Sequence, residues 1–130
     1  MNRSSILKGF NNHLMELVDD IIFIFPDHKN LKITKMALET WKKMNPKALI
    51  LTWKVCIYDK YYNNIKNGDI DFFIEKNYTE DISGCESDTY ILKAIEKLRE
   101  PIRLMGGRNK KKTLKYIQNL TKLCELYYSS

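Results

Sequence analysis

Proline and glycine are scarce in this chain: three and five among 130 residues. Few turn-formers mean few connections, and therefore long elements. Cysteine is scarce as well. Cys56, Cys85 and Cys124 are odd in number and far apart, with no C-x-x-C pair, so three reduced thiols are expected. The longest unbroken apolar run is Ile21 to Phe25, directly after Asp19 and Asp20. A run of that length falls far short of the roughly 20 residues a bilayer span needs. No basic stretch leads into an apolar one at the N-terminus, so no signal peptide is expected. The expectation is a soluble, cytosolic chain without membrane partners. Two histidines, His13 and His28, are too few for a structural zinc. A nucleophile elbow, an H-E-x-x-H motif and a phosphate loop of G-x-x-x-x-G-K-[ST] spacing are all missing. The composition therefore points away from an enzyme and implies no cofactor and no metal.

What remains is apolar and aromatic enough to fold. Hydrophobic residues make up 44% of the chain and aromatic residues 12%, which supports one domain over residues 1–130. Steps of three and four run through Phe10, Leu14, Leu17, Val18, Ile21, Ile22 and Phe25, which is helical spacing ended by Pro26. Ser4 or Ser5 is the expected cap. Apolar residues nearly all round the end of this helix predict that the end is deeply buried. Asn30 is expected to cap a second helix, whose inner stripe reads as Ile33, Met36, Ala37, Thr40, Trp41 and Met44. Asn45-Pro46 opens a third, running to about Lys66, with Leu49, Trp53, Cys56, Ile57, Lys60 and Tyr61 inward and a C-cap at Asn67-Gly68. A fourth follows Ser87 or Asp88, with Ile91, Leu92, Ile95, Leu98 and Ile102 as its stripe and Pro101 kinking or ending it. The last covers about Asn109 to Tyr127, with Leu114, Ile117, Leu120, Cys124 and Tyr127 inward. No stretch alternates like a strand. The expected fold is all-α: a compact bundle of about five helices, with a short aromatic, acidic insert between helices three and four.

That insert, NGDIDFFIEKNYTED at residues 67–81, holds five carboxylates. As a calcium loop starting at Asp69 it fails, because Phe73 and Ile74 occupy the places of an oxygen donor and the required glycine. Phe72, Phe73 and Tyr78 are expected to plug into the bundle, with the acids solvated around them. The string Gly68-Asp69-Ile70-Asp71-Phe72-Phe73 follows the helix opened by Asn45-Pro46, and the chain closes with Lys115 to Leu123, KYIQNLTKL. From about Phe10 to Tyr127 the whole resembles a group of small proteins encoded by giant viruses, the large nucleocytoplasmic DNA viruses. The resemblance implies a viral origin and an infected cell: host cytoplasm, or the virion itself. It carries over no catalytic or binding residue.

Charge is distributed unevenly. Residues 101–122 hold seven bases and no acid, whereas residues 69–88 hold seven acids and one lysine. Gly106-Gly107 before a helix start offers backbone N–H groups to an anion. Lysines at a helix N-terminus oppose the macrodipole, so three of them there argue for an anionic partner. Arg103, Arg108, Lys110, Lys111, Lys112 and Lys115 are accordingly the candidate anion-binding residues. Two functions follow. One is a non-enzymatic interaction module whose partner is nucleic acid or an acidic protein surface. The other is a virion structural or assembly protein, pairing its acidic and basic poles with neighbouring subunits, other viral proteins or copies of itself.

Overall fold

The computed structural model describes residues 2–69 and 89–129. Their elements are α1 (Arg3–Ile24), α2 (Lys29–Met44), α3 (Ala48–Trp53), a π-helical turn (Lys54–Tyr58), α4 (Asp59–Lys66), α5 (Thr89–Arg103) and α6 (Gly107–Ser129). α3, the π turn and α4 run on without a break in helical backbone, so the described residues form five rods and no strand. The expected all-α bundle is thus the observed fold. Ser87, Asp88 and the aromatic trio Phe72, Phe73 and Tyr78 lie outside the described residues.

Each helix boundary has a local cause. Asn2, not Ser4 or Ser5, caps α1: its Oδ1 accepts from the N–H of Ser5 at 2.8 Å. α2 starts one residue before Asn30, after His28, which makes no side-chain capping bond. Asn45 does not cap α3 directly, but its Oδ1 accepts from the N–H of Lys47 at 3.2 Å and shapes the turn before Ala48. α4 ends as expected. Gly68 adopts φ +82° and donates to Ile65 O at 3.1 Å, while Asp69 N–H reaches Asn64 O at 2.8 Å. Those two bonds form a Schellman close, which satisfies carbonyls the helix would otherwise leave open. Pro101 lies in the last turn of α5, which stops two residues later.

The π turn has a packing reason. Leu49, Trp53, Ile57, Tyr61 and Ile65 are all buried and follow one another at steps of four. At 100° per residue each such step drifts by about 40° around a regular helix. A wider turn sets the drift back and keeps the stripe facing the core. Asp59 N–H closes the turn on Lys54 O. Lys60, expected on this face, is exposed.

α1 packs against α2 and α6, and α2 also packs against α5. The core gathers Phe10, Leu14, Leu38, Leu49, Ile57, Leu98, Leu120 and Cys124. The Phe10 and Trp53 rings meet edge to face at 5.9 Å. Asn11 Nδ2 donates to Pro46 O at 2.9 Å, tying α1 to the α2–α3 turn. α6 runs antiparallel to α1: Arg3 stacks over Tyr127, and Asp20 meets Lys112.

Two expectations about burial are corrected. The end of α1 is not deeply buried, since Phe23 is 84% exposed and Ile22 and Ile24 are half-buried. α2 faces the core with Leu31, Thr34 and Leu38 instead of the predicted stripe. Of that stripe, only Trp41 packs against the core; Ile33, Met36, Ala37, Thr40 and Met44 point outward. α2 carries apolar residues on two faces, and periodicity by itself does not say which one a neighbour covers. The third correction concerns the thiols. Cys56 is disulfide-bonded, and Cys124 is free and buried.

Candidate anion-binding surface

α6 is anchored along one side. Thr113, Ile117, Leu120, Thr121, Cys124 and Tyr127 are buried. Thr113 Oγ1 donates to Met105 Sδ at 3.3 Å, holding the helix start against the preceding turn. Gln118 Nε2 donates to Ile65 O at 2.9 Å and fastens the middle of α6 to α4. With this side fixed, the opposite side must face water. Arg108, Lys111, Lys112, Lys115 and Lys122 are all exposed there, at helical steps that bring them onto one stripe. From Arg108 to Lys122 the stripe is about 21 Å long at 1.5 Å per residue. Arg103, at the end of α5, is also exposed.

The six predicted residues are therefore close in the fold but not equivalent. Lys112 Nζ sits 2.9 Å from Asp20 Oδ1, an acid of α1 that is itself mostly covered. This bond raises the Lys112 pKa above its ordinary value. Lys112 is thus engaged within the chain. Lys110 is half-buried. Arg103, Arg108, Lys111 and Lys115 are the outward cations of the set. Lys122, counted in the basic run but not in the predicted site, belongs to the same stripe. Its spacing of seven residues from Lys115 was the sequence signal for it. Asp20 had no such signal, because only the antiparallel packing of α1 and α6 brings it to Lys112.

The helix start also changes the electrostatic argument. α6 begins at Gly107, and Lys110 N–H already bonds to Gly106 O at 2.9 Å. Lys110, Lys111 and Lys112 hence fall beyond the first turn, where the macrodipole has faded. Arg108 is the one base of the set in the first turn of α6. The lysines do not strain the helix start, so the case for a partner rests on the exposed stripe alone.

Grooves flank Lys122 on both sides. One, of about 390 Å³, lies between α4 and α6 and is lined by Tyr62, Lys66, Gln118, Lys122 and Glu125. Another, of about 500 Å³, lies between α1 and α6 and includes His13, Glu16, Asn119 and Lys122. His13 Nδ1 lies 3.4 Å from Glu16, the shared face expected of an i, i+3 pair, and its ring packs on Tyr116 at 4.8 Å. Among the described residues no three His, Cys, Asp or Glu side chains gather to hold a metal ion, and no helix is long and apolar enough to cross a membrane. No protein-family model, curated protein or solved structure matches the chain.

Proposed function

We propose that the protein is a non-enzymatic interaction module that contacts an anionic partner, nucleic acid or an acidic protein surface, through Arg103, Arg108, Lys110, Lys111, Lys112 and Lys115. The observation that supports this reading is the acid-free row of exposed bases on the outer side of α6. Arg108, Lys111 and Lys115 form its centre, Lys122 extends it, and Lys112 contributes only when it leaves Asp20. Such a row neutralises phosphates without reading bases, since nothing in it matches a recognition helix. On the resemblance to giant-virus proteins, the proposal includes an infected cell as the setting, in the host cytoplasm or the virion.

A shift assay with duplex and single-stranded DNA at two salt concentrations tests the proposal. Binding is expected to weaken with salt, with a slope of roughly −0.9 per phosphate neutralised on a duplex. The triple variant Arg108→Glu, Lys111→Glu, Lys115→Glu should lose it. Absence of binding to nucleic acid and to an acidic polypeptide, combined with salt-sensitive self-association, would transfer support to the assembly reading.

A further inference from the structure

The outward face of α2 carries an apolar stripe that the bundle does not use. Ile33, Met36 and Met44 are exposed to 60%, 67% and 71%, and Ala37 and Thr40 are exposed with them. At 100° per residue the five span an arc of about 100°. The Thr40 hydroxyl donates to Met36 O at 2.9 Å, so the one polar group in the stripe is satisfied within the helix. The two edges differ. Lys32 and Lys43 lie along one, both exposed, and Lys29, also exposed, stands at the N-terminal end of the stripe. Glu39, on the same edge, leans to Lys35 at 3.9 Å, which also binds Asp19 at 2.6 Å. The other edge holds Asn30 and Trp41 and no charge.

We propose that this face docks an amphipathic helix of a partner protein, with apolar side chains on Ile33, Met36 and Met44 and carboxylates along one flank, opposite Lys32 and Lys43. The i, i+3, i+4, i+7, i+11 spacing of the stripe is that of helix-on-helix recognition. Methionine suits such a surface because its thioether adapts to the partner's shape. Charge selects the occupant. An antiparallel two-fold pairing with a second copy sets lysine edge against lysine edge, which is repulsive. A lipid surface favours large Leu, Phe or Trp side chains on the apolar face, whereas Ala37 and Thr40 occupy the middle of this one. Nucleic acid gains nothing from the apolar centre. The surface shares no residue with the stripe on α6, and neither depends on the other.

The test titrates the full chain with two synthetic peptides as long as α2, 16 residues. Both place Leu at matching helical steps; one carries Glu along a single flank and its twin carries Lys. The Glu peptide is expected to bind, with NMR shifts on α2 and a change in Trp41 fluorescence. The Lys twin should bind at least about tenfold more weakly. Met36→Asp, an exposed position, should leave the melting temperature unchanged and remove binding. Lys32→Glu with Lys43→Glu should reverse the preference to the Lys peptide. The proposal is overturned if neither peptide binds or both bind alike. It is equally overturned if α2 shifts track protein concentration, or if phosphatidylserine vesicles bind through α2 while the Glu peptide does not. Slow peroxide oxidation of Met36 and Met44 in the free monomer would overturn it too, because the chain would then be covering the face itself.

Discussion

Trp53 reaches across the core to donate from Nε1 to the hydroxyl of Thr121, 3.2 Å away, and so ties α3 to α6. Thr121 donates in turn to Ile117 O at 2.8 Å. The indole N–H is buried and has this acceptor in place of water. Thr121→Val keeps the shape and removes the acceptor. It is expected to cost about 1–3 kcal/mol, the penalty for an orphaned buried donor. Trp53→Ala removes the ring as well, and should cost on the order of 3–5 kcal/mol. Urea denaturation followed by circular dichroism separates the two. Equal stability of Thr121→Val and wild type would mean that the hydrogen bond contributes nothing.

Gly68 ends α4 in the left-handed region at φ +82°. A Cβ there would meet only Leu114 Cδ2, at 3.8 Å, an ordinary contact. Gly68→Ala should therefore lose about 1–2 kcal/mol from backbone strain alone, and Gly68→Asn less, since asparagine tolerates this conformation. Thermal melts of the two variants check the order. Should Ala and Asn cost the same, the loss would not come from the backbone angle.

The basic residues of α6 should divide into two groups. Lys112→Glu turns an attraction to Asp20 into a repulsion, so its melting temperature is expected to fall. The pair Lys111→Glu and Lys115→Glu faces solvent and should melt like wild type. A variant reversing Lys110, Lys111 and Lys112 together therefore mixes a structural effect with any effect on binding. Comparing Lys112→Glu with the double variant Lys112→Glu, Asp20→Lys gives the control. The double variant should recover the lost stability, and failure to recover it would remove the ion pair as the cause.

Cys124 is expected to be inert in the folded protein. Burial pushes its thiol pKa up to about 12, outweighing the nearby Lys54. Sγ sits 3.9 Å from Ile50 O. Alkylation at pH 8, followed at the Cys124 peptide by mass spectrometry, should be slow until denaturant is added. The pH dependence has a definite sign. The unfolded thiol loses its proton near the ordinary 9.0, before the folded one near 12. Its contribution to stability is complete below pH 9 and declines as pH rises towards 12. Cys124→Ala should show a shallower decline over that window. A parallel decline in both proteins would leave Lys35, Lys112, Tyr58 and Tyr128 as the sources, since all four have raised pKa values, the lysines from their ion pairs and the tyrosines from burial, and act in the same direction.

Much of the architecture was legible because helical periodicity and stop residues are local properties. Phe10, Leu14, Leu17, Val18 and Ile21 are buried where their spacing put them, and Gly68 closes α4 where Asn67-Gly68 predicted. Pro101 and Gly106-Gly107 likewise mark the end of α5 and the start of α6. Local signals of this kind need no knowledge of the neighbours. The candidate site was legible as a run of bases, because a charge run needs only the chain order.

Tertiary packing decided the rest. α2 has two faces with enough apolar residues to be buried, and the positions of α1 and α5 chose Leu31, Thr34 and Leu38 over Ile33, Met36 and Met44. Asp20 and Lys112 are 92 residues apart in the chain, and only the antiparallel course of α1 and α6 makes them an ion pair. The π turn answers a four-residue stripe that must stay aligned with a core built by other helices. Residue order determined which segments are helical and where the charge lies. Which side each helix shows to water depended on what packed against it, because burial is a property of the assembled bundle and not of any one segment.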